Sequence, residues 1–245
     1  MKTRLIAATL GFAALLSTVA SANLVTNGSF ETTAAFPASD HYLAILNAAV
    51  IPGWTAGYTD GNAVVSPSWQ AAGCFYCSPP HTQSVTFGGP LPASSPDGGN
   101  FVYSDANYHN SAITQTIAGL TPGAHYTLTF YDALAEAVFT PSNGLSGPIT
   151  AFWTVGFGHT YILTPALSAN GLTGLISPWT QRTLNFTAVS ATQVLSFLSF
   201  APAGDPPLLL LDGVSLDAAR VAEPGMVALL AGATVLGVAV RRRTR

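Results

Sequence analysis

The sequence predicts an all-β fold, a jelly-roll β-sandwich, over residues 23–220. Three observations predict it. Short runs rich in Val, Ile, Thr, Phe and Tyr alternate with Gly, Pro, Asn and Ser, which is how strands and their turns read in sequence. The runs recur at short spacing with turn signals between them, as in sandwiches and jelly rolls. Helical apolar spacing flanked by caps is missing, except over residues 42–50. No blade or solenoid period is visible.

The ends of the chain stand apart from this domain. Lys2 and Arg4 precede an almost wholly apolar run over residues 5–16, and Ala20-Ser21-Ala22 follows. A positive start, an apolar core and an A-x-A site make a secretory signal peptide of residues 1–22, with a mature start at Asn23. The alternative, an uncleaved anchor, needs a longer apolar stretch. At the other end, residues 221–245 hold Ala222-Glu223-Pro224, an apolar run over 226–240, and Arg241, Arg242, Arg243 and Arg245. The run is at the lower edge of what spans a bilayer. It predicts a short transmembrane helix whose Gly and Ala allow close packing and whose Arg cluster stays cytoplasmic.

Within the domain, residues 112–117 alternate apolar and polar side chains, as a half-buried strand does. Gly119-Leu120-Thr121-Pro122-Gly123 is a turn, and residues 125–131 alternate again. Residues 151–157, 180–188, 194–200 and 208–216 complete the predicted strands.

Charge is distributed unevenly. With leader and tail set aside, ten Asp and Glu face only Arg182 and Arg220, a net of eight negative charges. Such a surface repels phosphate backbones and excludes nucleic acid as a partner.

Two resemblances follow from these residues. The ending, with Glu223-Pro224, an apolar helix and an Arg cluster, resembles the PEP-CTERM sorting signal of Gram-negative bacteria. It departs from that pattern at Ala222, where the family has its first Pro. The resemblance implies recognition by an exosortase-like membrane protease, transient inner-membrane anchoring and delivery to the cell surface or extracellular matrix. Asn23-Leu24-Val25-Thr26-Asn27-Gly28-Ser29-Phe30-Glu31 resembles the first strand of galactose-binding-like jelly rolls, as in many carbohydrate-binding modules. Ile51-Pro52-Gly53-Trp54 resembles their next segment. Residues 113–130 resemble the central hairpin of exported PEP-CTERM proteins, and Leu211-Asp212-Gly213-Val214-Ser215-Leu216 their last strand. The resemblance implies a structural calcium where first and last strands meet, with Glu31 and Asp212 at the matching positions. Oxygen ligands suit calcium, but two carboxylates leave the shell to be completed by carbonyls or water, and Gly213 replaces the second Asp of the usual pair. The other reading is that Glu31 and Asp212 only hydrogen-bond backbone.

Other candidates come from residue chemistry. Cys74-Phe75-Tyr76-Cys77 is a C-x-x-C with His81 nearby. In an exported chain a disulfide is the better reading, closing too small a loop to stabilise the domain much. A structural zinc needs four ligands, and three are at hand. Trp and Tyr faces stack on the C–H faces of sugars. Trp69 and Tyr76, together with Tyr103, Asp105 and Tyr108, mix flat apolar surface with hydrogen-bonding groups, as a glycan site requires. Trp54 and Trp153 read as core. Asp132 and Glu136 are the nearest approach to a glycosidase pair. His125 and His159 fall on predicted strands. No G-x-S-x-G, H-E-x-x-H or P-loop pattern is present, so the sequence names no catalytic residue and points away from an enzyme. The expectation is an exported surface or matrix protein binding glycan or exopolysaccharide. A purely structural biofilm-matrix protein and a secreted glycoside-active enzyme are the alternatives.

Overall fold

The computed structural model describes residues 22–36, 42–44, 48–57, 61–66, 84–87, 95–107, 111–140, 148–170, 177–202 and 207–219. The leader, the tail and its Ala222-Glu223-Pro224 motif, both cysteines, Trp69, Tyr76 and Tyr108 lie outside these residues. Among the described residues there is no helix, and none therefore long and apolar enough to cross a membrane. The strands are β1 (Tyr42–Ala44), β2 (Thr55–Ala56), β3 (Asn62–Val65), β4 (Ser84–Phe87), β5 (Phe101–Asp105), β6 (Ile113–Ala118), β7 (His125–Thr140), β8 (Pro148–Phe157), β9 (Thr160–Leu163), β10 (Leu167–Asn170), β11 (Thr180–Thr187), β12 (Thr192–Phe200) and β13 (Pro207–Ala218).

They form two antiparallel sheets. Sheet I runs β1-β3-β5-β13-β7-β11, with β4 on the far half of β7. Sheet II runs β10-β8-β12-β6-β2, with β9 beside β8. Alternation dictates the packing, because successive strand side chains point to opposite faces. From sheet I, Val102, Leu128, Phe130, Leu134, Leu209 and Leu211 point inward. From sheet II, Ile113, Ile117, Trp153, Val155, Leu195 and Phe197 meet them. Phe197 is the hub: Phe130 and Trp153 set their rings edge-on to it, at 5.2 and 6.0 Å between centroids. Fully burying side chains of this size contributes roughly 1.5–3 kcal/mol each.

Residues 23–31 follow the last strand without becoming one. Leu24 N–H donates to the Leu216 carbonyl, and Val214 N–H to the Gly28 carbonyl, both at 2.9 Å. Between these contacts the chain turns, with Asn27 and Phe30 at φ of 51° and 56°, a conformation outside the strand region. Side chains close the segment instead. Gln115 accepts from Thr26 N–H at 2.7 Å and donates to its carbonyl at 2.8 Å. Trp54 fixes it from below: its indole N–H donates to the Asn27 carbonyl at 3.0 Å, and its ring lies 5.3 Å from that of Phe30. Residues 42–50, the one stretch with helical spacing, open instead with β1, paired to β3. His159 is in the turn between β8 and β9 rather than on a strand. His125 is on β7 as read, its Nδ1 2.9 Å from Thr187 Oγ1.

Candidate functional site

Two regions gather chemistry, one on each sheet. On sheet I, the register of β13 shifts between Asp212 and Ser215. This β-bulge passes through Gly213, whose φ of 58° favours glycine. Gly213 therefore stands where the resembled family has its second Asp, and its role is backbone geometry. The bulge turns Asp212 into a closed environment. Its carboxyl is fully buried; Gly213 N–H donates to Oδ1 at 2.7 Å, and Oδ2 has no hydrogen-bond partner. Burial pushes the Asp212 carboxyl up to about 8; hydrogen bonds from Ser95 and Gly213 pull the other way, and the charges of Asp97 and Glu31 add to the rise. Glu31 comes from the N-terminal segment. Its Oε1 accepts from Asn100 N–H at 2.7 Å, and the Asn100 side chain donates to the Phe30 carbonyl at 3.0 Å. A Cβ on Gly99, whose φ is 63°, would overlap the Glu31 carboxylate. Glu31 is raised above the usual carboxylate range, chiefly by partial burial and then by Asp97, against the Asn100 bond.

The structure thus brings Glu31 and Asp212 into one electrostatic neighbourhood and adds Asp97, Ser95 and Asn100, which sequence reasoning missed. A buried, unpartnered carboxylate oxygen among like charges fits a hard cation. Among the described residues no three His, Cys, Asp or Glu side chains form a metal-holding group. A cation there would therefore draw further ligands from carbonyls or water.

Asp132 and Glu136 do not make a glycosidase pair. Both lie on β7, their Cα atoms about 13 Å apart along the strand, and both are buried, whereas a glycosidase pair flanks a bond in an open cleft. Asp132 is also engaged. Arg182 Nε donates to its two oxygens at 2.9 and 3.0 Å, and Arg182 Nη2 donates to the Pro165 carbonyl at 3.1 Å. Burial still outweighs that partner and pushes Asp132 up to about 6.

The outward face of sheet I is largely closed around β5. Phe101, Tyr103, Leu208, Leu210, Ala133 and Ala135 point away from the core cluster and are nonetheless buried. Tyr103 and Asp105 belong to this layer, at 8% and 6% exposure. Trp54 and Trp153 are core, as read from sequence.

Sheet II is the reverse. Its outward face is open and carries Val194, Leu198 and Phe200 from β12 with Tyr161 and Leu163 from β9, all exposed. Register places them in rows. Ser196 and Tyr161 flank Gly156, Leu198 and Leu163 flank Thr154, and Phe200 pairs with Phe152. The last pair is stacked at 5.1 Å with rings tilted by 40°. Thr114 and Thr55 extend the first row, their hydroxyls 2.9 Å apart. None of β2, β6, β8, β9, β10 and β12 contains an Asp, Glu, Lys or Arg.

No protein-family model matches the chain, and no curated protein matches it. Among solved structures it is similar to the CBM4 of a study of CBM4 structure and function, at 15% identity over 80% of this chain and 99% of that one, TM-score 0.35. It is similar also to TmCBM61 in complex with β-1,4-galactotriose, at 12% identity over 81% and 100%, TM-score 0.40. A third is the N-terminal cellulose-binding domain of β-1,4-glucanase C from Cellulomonas fimi, at 18% over 69% and 91%, TM-score 0.31. The likeness is loose, and no residue role passes from these proteins to this chain.

Proposed function

We propose that this chain is an exported cell-surface or extracellular-matrix protein that binds glycan through the outward face of sheet II. One observation carries the reading: an open, uncharged sheet face with ring surfaces at two places and hydroxyls between them. Monomeric proteins rarely leave a contiguous apolar patch in water without a use for it. Sugars suit this one, because their C–H faces stack on rings while their hydroxyls meet Thr and Ser. The leader and the PEP-CTERM-like tail support export, exosortase-like processing and surface delivery in a Gram-negative bacterium. Trp69, Tyr76 and Tyr108 remain candidate contacts named by sequence, whereas Tyr103 and Asp105, named with them, are buried on β5 in the other sheet and do not belong to this face. A galactose-binding-like jelly roll is the finer form of the fold. Glu31 and Asp212 would hold one structural calcium, whose charge would neutralise the buried carboxylate of Asp212.

The test is intact mass and glycan-array binding of protein recovered from its native envelope. A mass running from Asn23 to near Glu223, with a reproducible array hit lost in the double variant Tyr161→Ala/Phe200→Ala, is the expected result. A mass that retains the Arg cluster, with an empty array, would replace the reading with a plain anchored structural protein.

A further inference from the structure

Tyr161 sits opposite a glycine. A Cβ on Gly156 would come within 2.8 Å of Tyr161 Cε1 and 3.0 Å of Cδ1, and would overlap the Ser196 hydroxyl. The ring therefore lies down on the sheet, across the strip of backbone that Gly156 leaves bare, instead of standing away from it. Tyr161 is nonetheless 62% exposed, so the ring face turned from the sheet is open to solvent. Covering a strand glycine is one use of such a ring, and it yields a fixed flat surface at little cost in side-chain freedom. Phe200, 51% exposed and braced by Phe152, provides a second surface.

The two surfaces are well separated. Tyr161 shares a row with Ser196, four residues from Phe200 on β12 and two strands across from it. Strand rise and spacing put them roughly 16 Å apart. Leu163, Thr154 and Leu198 fill the row between. A single sugar cannot reach both surfaces, whereas a polymer can.

We infer that the ligand of this face is an uncharged polysaccharide strand laid across β12, β8 and β9, stacked on the Tyr161 ring that Gly156 holds flat. This rests on the glycan reading and specifies its ligand class. Charge decides it. The face presents no cation to pair with an acidic sugar, and the domain behind it is net negative, so an anionic polymer is repelled. Apolar side chains alone would equally suit a lipid surface or a second copy. Yet Thr154 and Ser196 sit in the middle of the rows, where an acyl-chain surface would bury hydroxyls without offering them hydrogen bonds, and a second copy would be read out as dimerisation. A membrane-binding face would also be rimmed by Lys and Arg.

The experiment is affinity electrophoresis and calorimetry of the purified chain with neutral β-glucans and galactans and with anionic alginate and polygalacturonate, each at low and high salt. Neutral polymers are expected to bind with little salt dependence. Gly156→Ala and Tyr161→Ala should each weaken binding about tenfold, which is 1.4 kcal/mol, and Tyr161→Phe should retain it. Thermal melts show whether Gly156→Ala is folded, and Tyr161→Phe reads the ring without disturbing the backbone. Preferential, salt-sensitive binding of anionic polymers would overturn the ligand class and leave the glycan reading standing. Binding of no polymer, with dimerisation or co-sedimentation with lipid vesicles, would overturn both.

Discussion

The two sheets of this sandwich handle polarity in opposite ways. Of the five acids on its strands, sheet I buries Asp105, Asp132, Glu136 and Asp212 and leaves only Asp217 half-buried, and even its outward face is closed around β5. Sheet II has no charged residue on any strand and leaves Tyr161, Leu163, Val194, Leu198 and Phe200 in water. A globular surface usually does the reverse, with charges outside and large apolar groups inside. Charge has been drawn into sheet I where it is held by Arg182 and by the bulge at Gly213. The face left without charge is the one with room for a ligand. Stability should therefore respond to changes in sheet I and binding to changes in sheet II.

The largest effect expected is on the ion pair of sheet I. Arg182→Met leaves Asp132 buried without its cation, and stability should fall by about 3–5 kcal/mol, read as the urea midpoint. The same site sets a pH dependence. Asp132 is raised to about 6 in the fold, above its ordinary 3.8, with Arg182 the charged group facing it. The folded chain thus holds this proton more tightly than the unfolded chain. The contribution is fully present below about pH 4 and is lost as pH rises through about 6. Asp132→Asn should remove that component of the fall in stability between pH 4 and pH 6. An unchanged slope would show that Asp132 is not the titrating group.

Next in size is the response to calcium. Adding millimolar calcium should stabilise the fold by about 2.7 kcal/mol if the ion is at a hundredfold excess over its dissociation constant, read as a rise in melting temperature. Asp212→Asn and Glu31→Gln should each abolish the shift. Magnesium should substitute poorly, because it demands a tighter octahedral shell. If chelator and calcium give the same melt, the buried carboxylate is held without a metal.

Sequence showed the strands whose alternation is clean and hid those whose alternation is not. Ile113-Thr114-Gln115-Thr116-Ile117 reads as a half-buried strand and is one, β6. Val194-Leu195-Ser196-Phe197-Leu198-Ser199-Phe200 reads as a strand, but apolar residues fall on both faces. Inward Ser199 is satisfied by Ser104 across the sandwich at 2.7 Å, while outward Val194, Leu198 and Phe200 stay exposed. Only register shows which side is which, so the aromatic face of sheet II was invisible. β9 and β10 are four residues each, too short for a period to declare itself. At the carboxylate cluster, Glu31 and Asp212 could be found by resemblance. Asp97, Ser95 and Asn100 could not, since contacts across such separations in sequence leave no local pattern.

The smallest effect expected is the one that isolates sheet II. The outward face of sheet I carries its own hydroxyl rows beyond the bulge, with Thr183, Thr129 and Ser215 in one and Asn185, Thr127 and Asp217 in the next. Thr127 donates to Asn185 Oδ1 at 3.1 Å in an exposed pair. These rows offer hydrogen bonds comparable to those of sheet II but present no exposed ring. Thr127→Ala/Asn185→Ala should therefore cost about 0.5 kcal/mol or less in stability, as exposed sites do, and leave polysaccharide affinity within calorimetric error. If this variant lost binding while Tyr161→Ala kept it, hydroxyl rows rather than rings would be the recognition element, and the ligand would belong on sheet I.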